Sequence, residues 1–372
     1  MHFPKTGILG GGQLGLMMAQ ACSNWHFEPV FLDPDPKAPV RPYGECVTGS
    51  FRDAQTVLDF GSDKELLSFE IEDVSLPALK QLAAAGKKVF PQPAVLEIIQ
   101  DKHRQKQFLL ENGFPTSPVL SVEAAEAHPH FFPAFWKQNV GGYDGKGVQK
   151  VTSLTELDAL PKVPGFLEKA VSIRKELAVI VARNERGETA VFPAVEMVFH
   201  PTANLVEYLQ TPADISSQTE QECRKMAGSL IEKLGMVGLL AVEFFEDSDG
   251  SILVNEMAPR PHNSGHHTIE GFSVSQFEMY WRAILNLSLP EPVARFPFSA
   301  MLNLIGEPGH QGKPVYQGLE ACLSQPDVFV HIYGKPETRP YRKMGHVSIG
   351  AHSLADLRQK VSFVQKHLSV VT

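Results

Sequence analysis

The chain has 372 residues, 43% of them apolar and 20% charged, a balance that builds packed cores in two or three domains and excludes a disordered or low-complexity chain. Its 34 Lys and Arg stand against 42 Asp and Glu, a net charge of −8, and no basic block interrupts that acidic background, which argues against nucleic acid as a partner. Cys22, Cys46, Cys223 and Cys322 lie far apart without a C-x-x-C pair, no apolar run reaches the roughly 18 residues of a spanning helix, and no signal-like segment opens the chain, so the expectation is a reduced, cytoplasmic protein with no membrane partner.

Thr6 to Gly10 reads as a short strand, Gly10-Gly11-Gly12-Gln13-Leu14-Gly15 as a glycine turn, Leu16 to Ala21 as a helix, and Glu28 to Leu32 as a second strand ending at Asp33. This is the G-x-G-x-x-G pattern with an acidic residue about 20 positions on, which fits a dinucleotide. Free N–H groups at a helix start attract any anion, a sugar phosphate included, so the motif alone does not choose. Leu66 to Ile71 is a further strand, with Glu70 and Glu72 at the end where open α/β sheets bind ligands; one can face a substrate, or both can be solvated. Val74 to Ala85 reads as a helix and Lys87 to Pro91 as the last strand, which puts a boundary at Pro91 to Pro93.

Ala94 to Asn112 has helical periodicity, with Lys102, Arg104 and Lys106 expected on a solvated face. A strand at Phe131 to Lys137 leads into Gly141-Gly142-Tyr143-Asp144-Gly145-Lys146-Gly147-Val148. It is no P-loop, since G-x-x-x-x-G-K-[ST] is absent and a strand, Val148 to Val151, follows. Its glycine N–H groups can fold over phosphates, with Lys137 at the preceding strand end, so it reads as a nucleotide lid, against the alternative of a plain hairpin turn. The apolar segments Phe166 to Val171 and Glu176 to Val181 carry carboxylates where an extended strand can read adenine with its backbone and ribose with a side chain.

Ala241 to Glu256 reads as a hairpin about Asp247-Ser248-Asp249-Gly250, and a register in which partner numbers sum to 499 sets Glu243 opposite Glu256, with Asn255 on the other face. Opposed like charges destabilise a hairpin, and a divalent cation between them reverses the sign; Mg²⁺ prefers a few carboxylates plus phosphate oxygens. Next comes Met257-Ala258-Pro259-Arg260-Pro261-His262-Asn263-Ser264-Gly265-His266. His262 and His266 have the spacing of a helical zinc pair, but Pro259, Pro261 and Gly265 disfavour a helix, and a loop binding phosphate is expected instead. After Pro290, Pro292 and Pro297, strands are expected at Ser299 to Gly306, Val328 to Tyr333 and His346 to Gly350 and a helix at Leu354 to His367, a small unit that packs on the rest.

Four motifs in this order, GGGQLG at Gly10 to Gly15, GGYDGKG at Gly141 to Gly147, NEMAPRPHNSGH at Asn255 to His266 and RKMGH at Arg342 to His346, resemble the ATP-grasp superfamily and, within it, the 5-(carboxyamino)imidazole ribonucleotide synthase family. The resemblance implies an α/β and α+β ATP-grasp fold: a Rossmann-like pre-ATP-grasp domain at 1–92, an ATP-grasp domain at 93–290 with a mobile lid near 115–180, and a small C-terminal domain at 291–372. It implies ATP with two Mg²⁺ ions as cofactors, 5-aminoimidazole ribonucleotide and bicarbonate as further substrates, and a homodimer.

By match to those motifs, Lys102, Lys137, Gly142, Tyr143, Asp144, Gly145, Lys146, Gly147, Val148, Glu168, Lys169, Ala170, Val171, Glu176, Asn255 and Glu256 would hold ATP, with Glu243 and Glu256 on magnesium. Gln13, Leu14, Glu72, Tyr143, Arg260 and Lys343 would line the ribonucleotide, and Asp144, Arg260 and Lys343 would take part in catalysis. Two positions depart from the pattern. Phe199, followed by His200, stands where many members carry histidine, and Ala258 stands where other ATP-grasp branches place asparagine, with Asn255 the candidate to compensate. Open alternatives are a nicotinamide dehydrogenase, an ATP-grasp ligase for a different amine, and a nucleotide-binding protein without turnover.

Overall fold

The computed structural model describes residues 2–141, 147–199 and 206–372. The N-terminal sheet is parallel throughout, ordered Cys46–Thr48, Val30–Asp33, Thr6–Leu9, Leu66–Phe69, Lys88–Val89. Its central strands are buried along their length, and alternate side chains serve two cores. Ile8 and Phe31 pack with Leu14, Met17 and Met18 of the helix Gln13–Cys22, whereas Leu9, Leu32 and Phe69 pack with Val57, Leu79 and Leu82. The first core runs on into the central unit through the helix Gln276–Ile284, where Trp281 Nε1 donates to Met18 O at 2.8 Å.

The expected helix over Ala94 to Asn112 is two helices, Pro93–Gln100 and Lys102–Glu111. Asp101 is extended, and its carboxylate caps the second helix by accepting from His103 N at 2.9 Å and Arg104 N at 3.0 Å. The periodicity survives the break, so the sequence pattern does not reveal it.

Beyond it, a four-stranded antiparallel sheet is ordered Val119–Ser121, Gly165–Lys169, Ala134–Gln138, Val148–Val151. A larger antiparallel sheet runs Ile252–Ala258, Gly238–Asp247, Ile173–Arg183, Val195–Phe199, Val206–Thr211, Phe298–Ile305, Lys343–Ala351, Val328–Ile332. The helix Ser217–Lys233 covers one face of it through Cys223, Ala227, Leu230 and Ile231, and the helix Gln276–Ile284 covers the other.

The C-terminal unit therefore does more than pack against the others. Leu209 pairs with Met301 and Thr211 with Ser299, so its strands extend the central sheet by hydrogen bonds. The helix Leu354–His367 has the expected bounds, with Ser353 accepting from Asp356 N at 3.1 Å. Among the described residues no helix is long and apolar enough to cross a membrane.

Candidate active site

The hairpin Gly238–Asp247 and Ile252–Ala258 does pair Glu243 with Glu256, but not in a single register. Asp247 N bonds Ser251 O at 2.9 Å, and nearer the turn Phe244 pairs with Val254, one residue off the expected register. A bulge at Asn255 absorbs the difference, so two errors cancel. The bulge also overturns the expectation that Asn255 faces away. Its Nδ2 lies 3.4 Å from Glu243 Oε2, and Lys137 Nζ lies 3.4 Å from its Oδ1.

Burial alone would raise the Glu256 carboxyl, but the Lys102 ammonium, bonded to its Oε1, takes it down to about 2. Glu243 goes the other way. Burial, then the charges of Glu256 and Glu176, push it up to about 7, and Glu176, on the neighbouring strand, is pushed to about 7 by burial. Three partly buried carboxylates with too few cations form a hard-oxygen donor set that fits a divalent ion. Among the described residues no three metal-ligating side chains converge tightly enough to hold an ion unaided.

The cations come from two elements. The break at Asp101 puts Lys102 at the start of its helix, with Lys102 N donating to Asn139 O at 2.8 Å. Lys106, one turn on, is buried, with its Nζ 2.9 Å from Glu168 Oε1; the other oxygen, Oε2, is 2.6 Å from Lys137 Nζ. The solvated face expected of this helix holds for Arg104 alone, whose side chain is 57% exposed. Sequence reasoning missed Lys106, although its i, i+4 spacing from Lys102 on a helix with Arg104 off that face was the available signal.

Ala170 and Val171 fall between the strands Gly165–Lys169 and Ile173–Arg183, where the chain passes from the small sheet to the large one. Lys169 turns aside to donate to His130 O at 2.8 Å. Gly147 and Val148 close the small sheet's hairpin, with Gln138 N donating to Gly147 O at 2.8 Å and Lys137 paired with Val148. Gly142, Tyr143, Asp144, Gly145 and Lys146, like His200, lie outside the described residues.

On the N-terminal side, the glycine turn is not open as a dinucleotide would need. Gly11 N donates to Asp33 Oδ2 at 2.8 Å and Gly12 N to Glu70 Oε1 at 2.7 Å, so the protein's own carboxylates hold the amides that would face a pyrophosphate. Glu70 is thus buried rather than solvated, and burial pushes it up to about 7. No side chain caps the helix Gln13–Cys22, so the amides of Gln13 and Leu14 still open it. Glu72 is 3.1 Å from Arg260 Nε.

The Arg260 loop is held by buried Gln276, whose amide accepts from His262 N at 2.9 Å and donates to His262 O at 2.7 Å. His262 Nε2 lies 3.6 Å from Glu243 Oε1. Lys343 opens the strand Lys343–Ala351, and its charge, after burial and His262, helps to depress His266 in the same loop; Lys335 Nζ donates to Lys343 O at 2.6 Å.

Residues 3–100 match the ribonucleotide synthetase preATP-grasp domain, 107–277 the ATP-grasp domain and 299–360 the phosphoribosylaminoimidazole carboxylase C-terminal domain. The N5-carboxyaminoimidazole ribonucleotide synthase of Brucella melitensis is 35% identical, over 92% of this chain and 95% of that protein. The chain belongs to the N5-carboxyaminoimidazole ribonucleotide synthase family.

The synthetase of that name from Thermotoga maritima superposes with a TM-score of 0.92 at 39% identity, covering 99% of each chain. The synthase from Aspergillus clavatus, solved with ADP and 5-aminoimidazole ribonucleotide, superposes with a TM-score of 0.88 at 30% identity, covering 98% of each. The chain spans 70% of the phosphoribosylaminoimidazole carboxylase of Ogataea methanolica and 66% of that of Saccharomyces cerevisiae. In this family the ATP-grasp fold, with its preceding and C-terminal domains, carries ligase chemistry.

Proposed function

We propose that the chain is an ATP-dependent ligase that carboxylates the amine of 5-aminoimidazole ribonucleotide with bicarbonate, giving the N5-carboxyamino product, ADP and phosphate in purine biosynthesis. The observation that carries the reading is the opposed Glu243–Glu256 pair, ringed by Lys102, Lys137 and Asn255. Two magnesium ions held through Glu243 and Glu256 would supply positive charge to the phosphate oxygens. Lys137 draws charge from the γ-phosphate, while the strand through Glu168, Lys169, Ala170 and Val171 and the carboxylate of Glu176 hold the adenosine end.

A bicarbonate oxygen attacks the γ-phosphorus as its bond to ADP breaks, giving carboxyphosphate. The substrate nitrogen then attacks the carboxyl carbon, the bond to phosphate breaks, and the amine proton leaves to Asp144. Arg260, oriented by Glu72, and Lys343 carry the negative charge of carboxyphosphate or of the ribonucleotide phosphate, beside the amides of Gln13 and Leu14. Carboxyphosphate hydrolyses readily, so water must be excluded from the site while it exists.

The test is phosphate release from ATP and Mg²⁺ in bicarbonate, with and without the ribonucleotide, beside a Glu256→Gln control. Release that needs the ribonucleotide and vanishes in the variant is expected. Release indifferent to the ribonucleotide would move the reading to another amine, and no release would leave a nucleotide-binding protein.

A further inference from the structure

We propose that Lys106 is a positioning residue that leaves the charge of Lys137 available to the nucleotide by occupying one half of the Glu168 carboxylate. The proposal rests on the reading that Lys137 faces the γ-phosphate.

Lys106 cannot itself reach a ligand. Its side chain is 3% exposed, and its ammonium lies 2.8 Å from Thr116 Oγ1, 2.9 Å from Glu168 Oε1 and 3.4 Å from Val254 O, which uses its three donors. Nor is it needed to join the strands it touches. Thr116 Oγ1 already donates to Val254 O at 2.7 Å and Val254 N to Pro115 O at 2.8 Å, so the crossing closes without an ammonium.

Burial of a lysine disfavours its charge, and here it draws Lys106 down to about 8 even with Glu168 beside it. Such a cation makes sense where its charge is used. Glu168, 3% exposed, is shared between two ammoniums, 2.9 Å on the Lys106 side and 2.6 Å on the Lys137 side. A lone Glu168–Lys137 pair would be neutral, whereas the triad carries one net positive charge. The more open member is Lys137, 15% exposed and 3.4 Å from Asn255, so the surplus faces the carboxylate hairpin.

The test compares binding of an ATP analogue that cannot be hydrolysed with binding of ADP, both with Mg²⁺, by calorimetry. The ratio of the two affinities isolates the γ-phosphate contact from changes at the adenosine end. Lys106→Met is expected to lower the ATP preference about tenfold, as Lys137→Met should, with ADP affinity within about twofold of the parent. Glu168→Gln, which removes the competing charge, should raise the preference, and Lys106→Met/Glu168→Gln should restore it from the low value of the single lysine variant. A residue that merely braces the fold would not be rescued by loss of a second partner.

A folded Lys106→Met variant with unchanged preference overturns the proposal, and so does a double variant that stays low. If Lys106→Met does not fold, Glu168→Gln decides: its preference must exceed the parent's and return to it when Lys106→Met is added, and equality of all three overturns the idea. Unchanged preference in Lys137→Met would instead sink the reading of Lys137 at the γ-phosphate.

Discussion

The molecule has two places where clustered carboxylates meet a feature that the sequence associates with nucleotides, and they are built in opposite ways. In the N-terminal glycine turn, Asp33 and Glu70 accept from the amides of Gly11 and Gly12, so charge and donor satisfy each other inside the protein. In the central hairpin, Glu243 and Glu256 face each other with Glu176 alongside, and Lys102 settles only one of the three. A closed circuit has little use for a ligand, whereas a frustrated one has a reason to take a cation. The satisfaction of charge, more than the motif, tells which site waits for a partner.

The sharpest test of that contrast is Glu243→Gln, which should split activity from stability. Phosphate release is expected to fall about a thousandfold, equivalent to roughly 4 kcal/mol of transition-state stabilisation, while the metal-free protein melts higher at pH 8 because the like-charge repulsion is gone. A parallel fall in both would mean that the pair is structural.

Glu70→Ala should do the reverse. It leaves Gly12 N without its acceptor in a buried turn, an expected loss of about 1–3 kcal/mol in denaturant unfolding, with much of the turnover per folded molecule retained. A loss confined to turnover would reassign Glu70 to the reaction.

Magnesium should also show the difference through pH. Glu243 sits near 7 in the fold against its ordinary value of 4.5, so the folded metal-free protein holds an extra proton between those values. Its stabilising contribution is therefore complete below about 4.5 and lost as pH rises through about 7. Magnesium competes with that proton, so the melting temperature gained on adding Mg²⁺ should be larger at pH 8 than at pH 6. An equal gain at both would place the ion elsewhere.

A smaller effect is expected where the two regions meet. Glu72→Gln weakens the partner of Arg260, and KM for the ribonucleotide should rise roughly tenfold with KM for ATP little changed. If instead KM for ATP rose, the pair would belong to the nucleotide side.

Much of the organisation was legible in order along the chain. The strand before Gly10, the hairpin carrying Glu243 and Glu256 and the helix Leu354–His367 all follow from local apolar period and turn chemistry, which a sequence displays directly. The four motifs, read together, pointed to the family that the related chains bear out.

Less visible was every feature that depends on what a segment meets across space. The break at Asp101 leaves the helical period intact, and only the strand-end contact to Asn139 shows what it accomplishes. The bulge at Asn255 turns a residue to the other face without changing the composition of its strand. Lys106 reads as one more surface lysine until Glu168, 62 positions away, arrives beside it.

By itself, then, the sequence determined which elements form, in what order, and which chemical groups stand ready at their ends, because these depend on interactions between near neighbours in the chain. Tertiary structure alone decided which carboxylates are satisfied and which are left wanting, because a buried charge is set by its burial and by partners that the chain brings from far away.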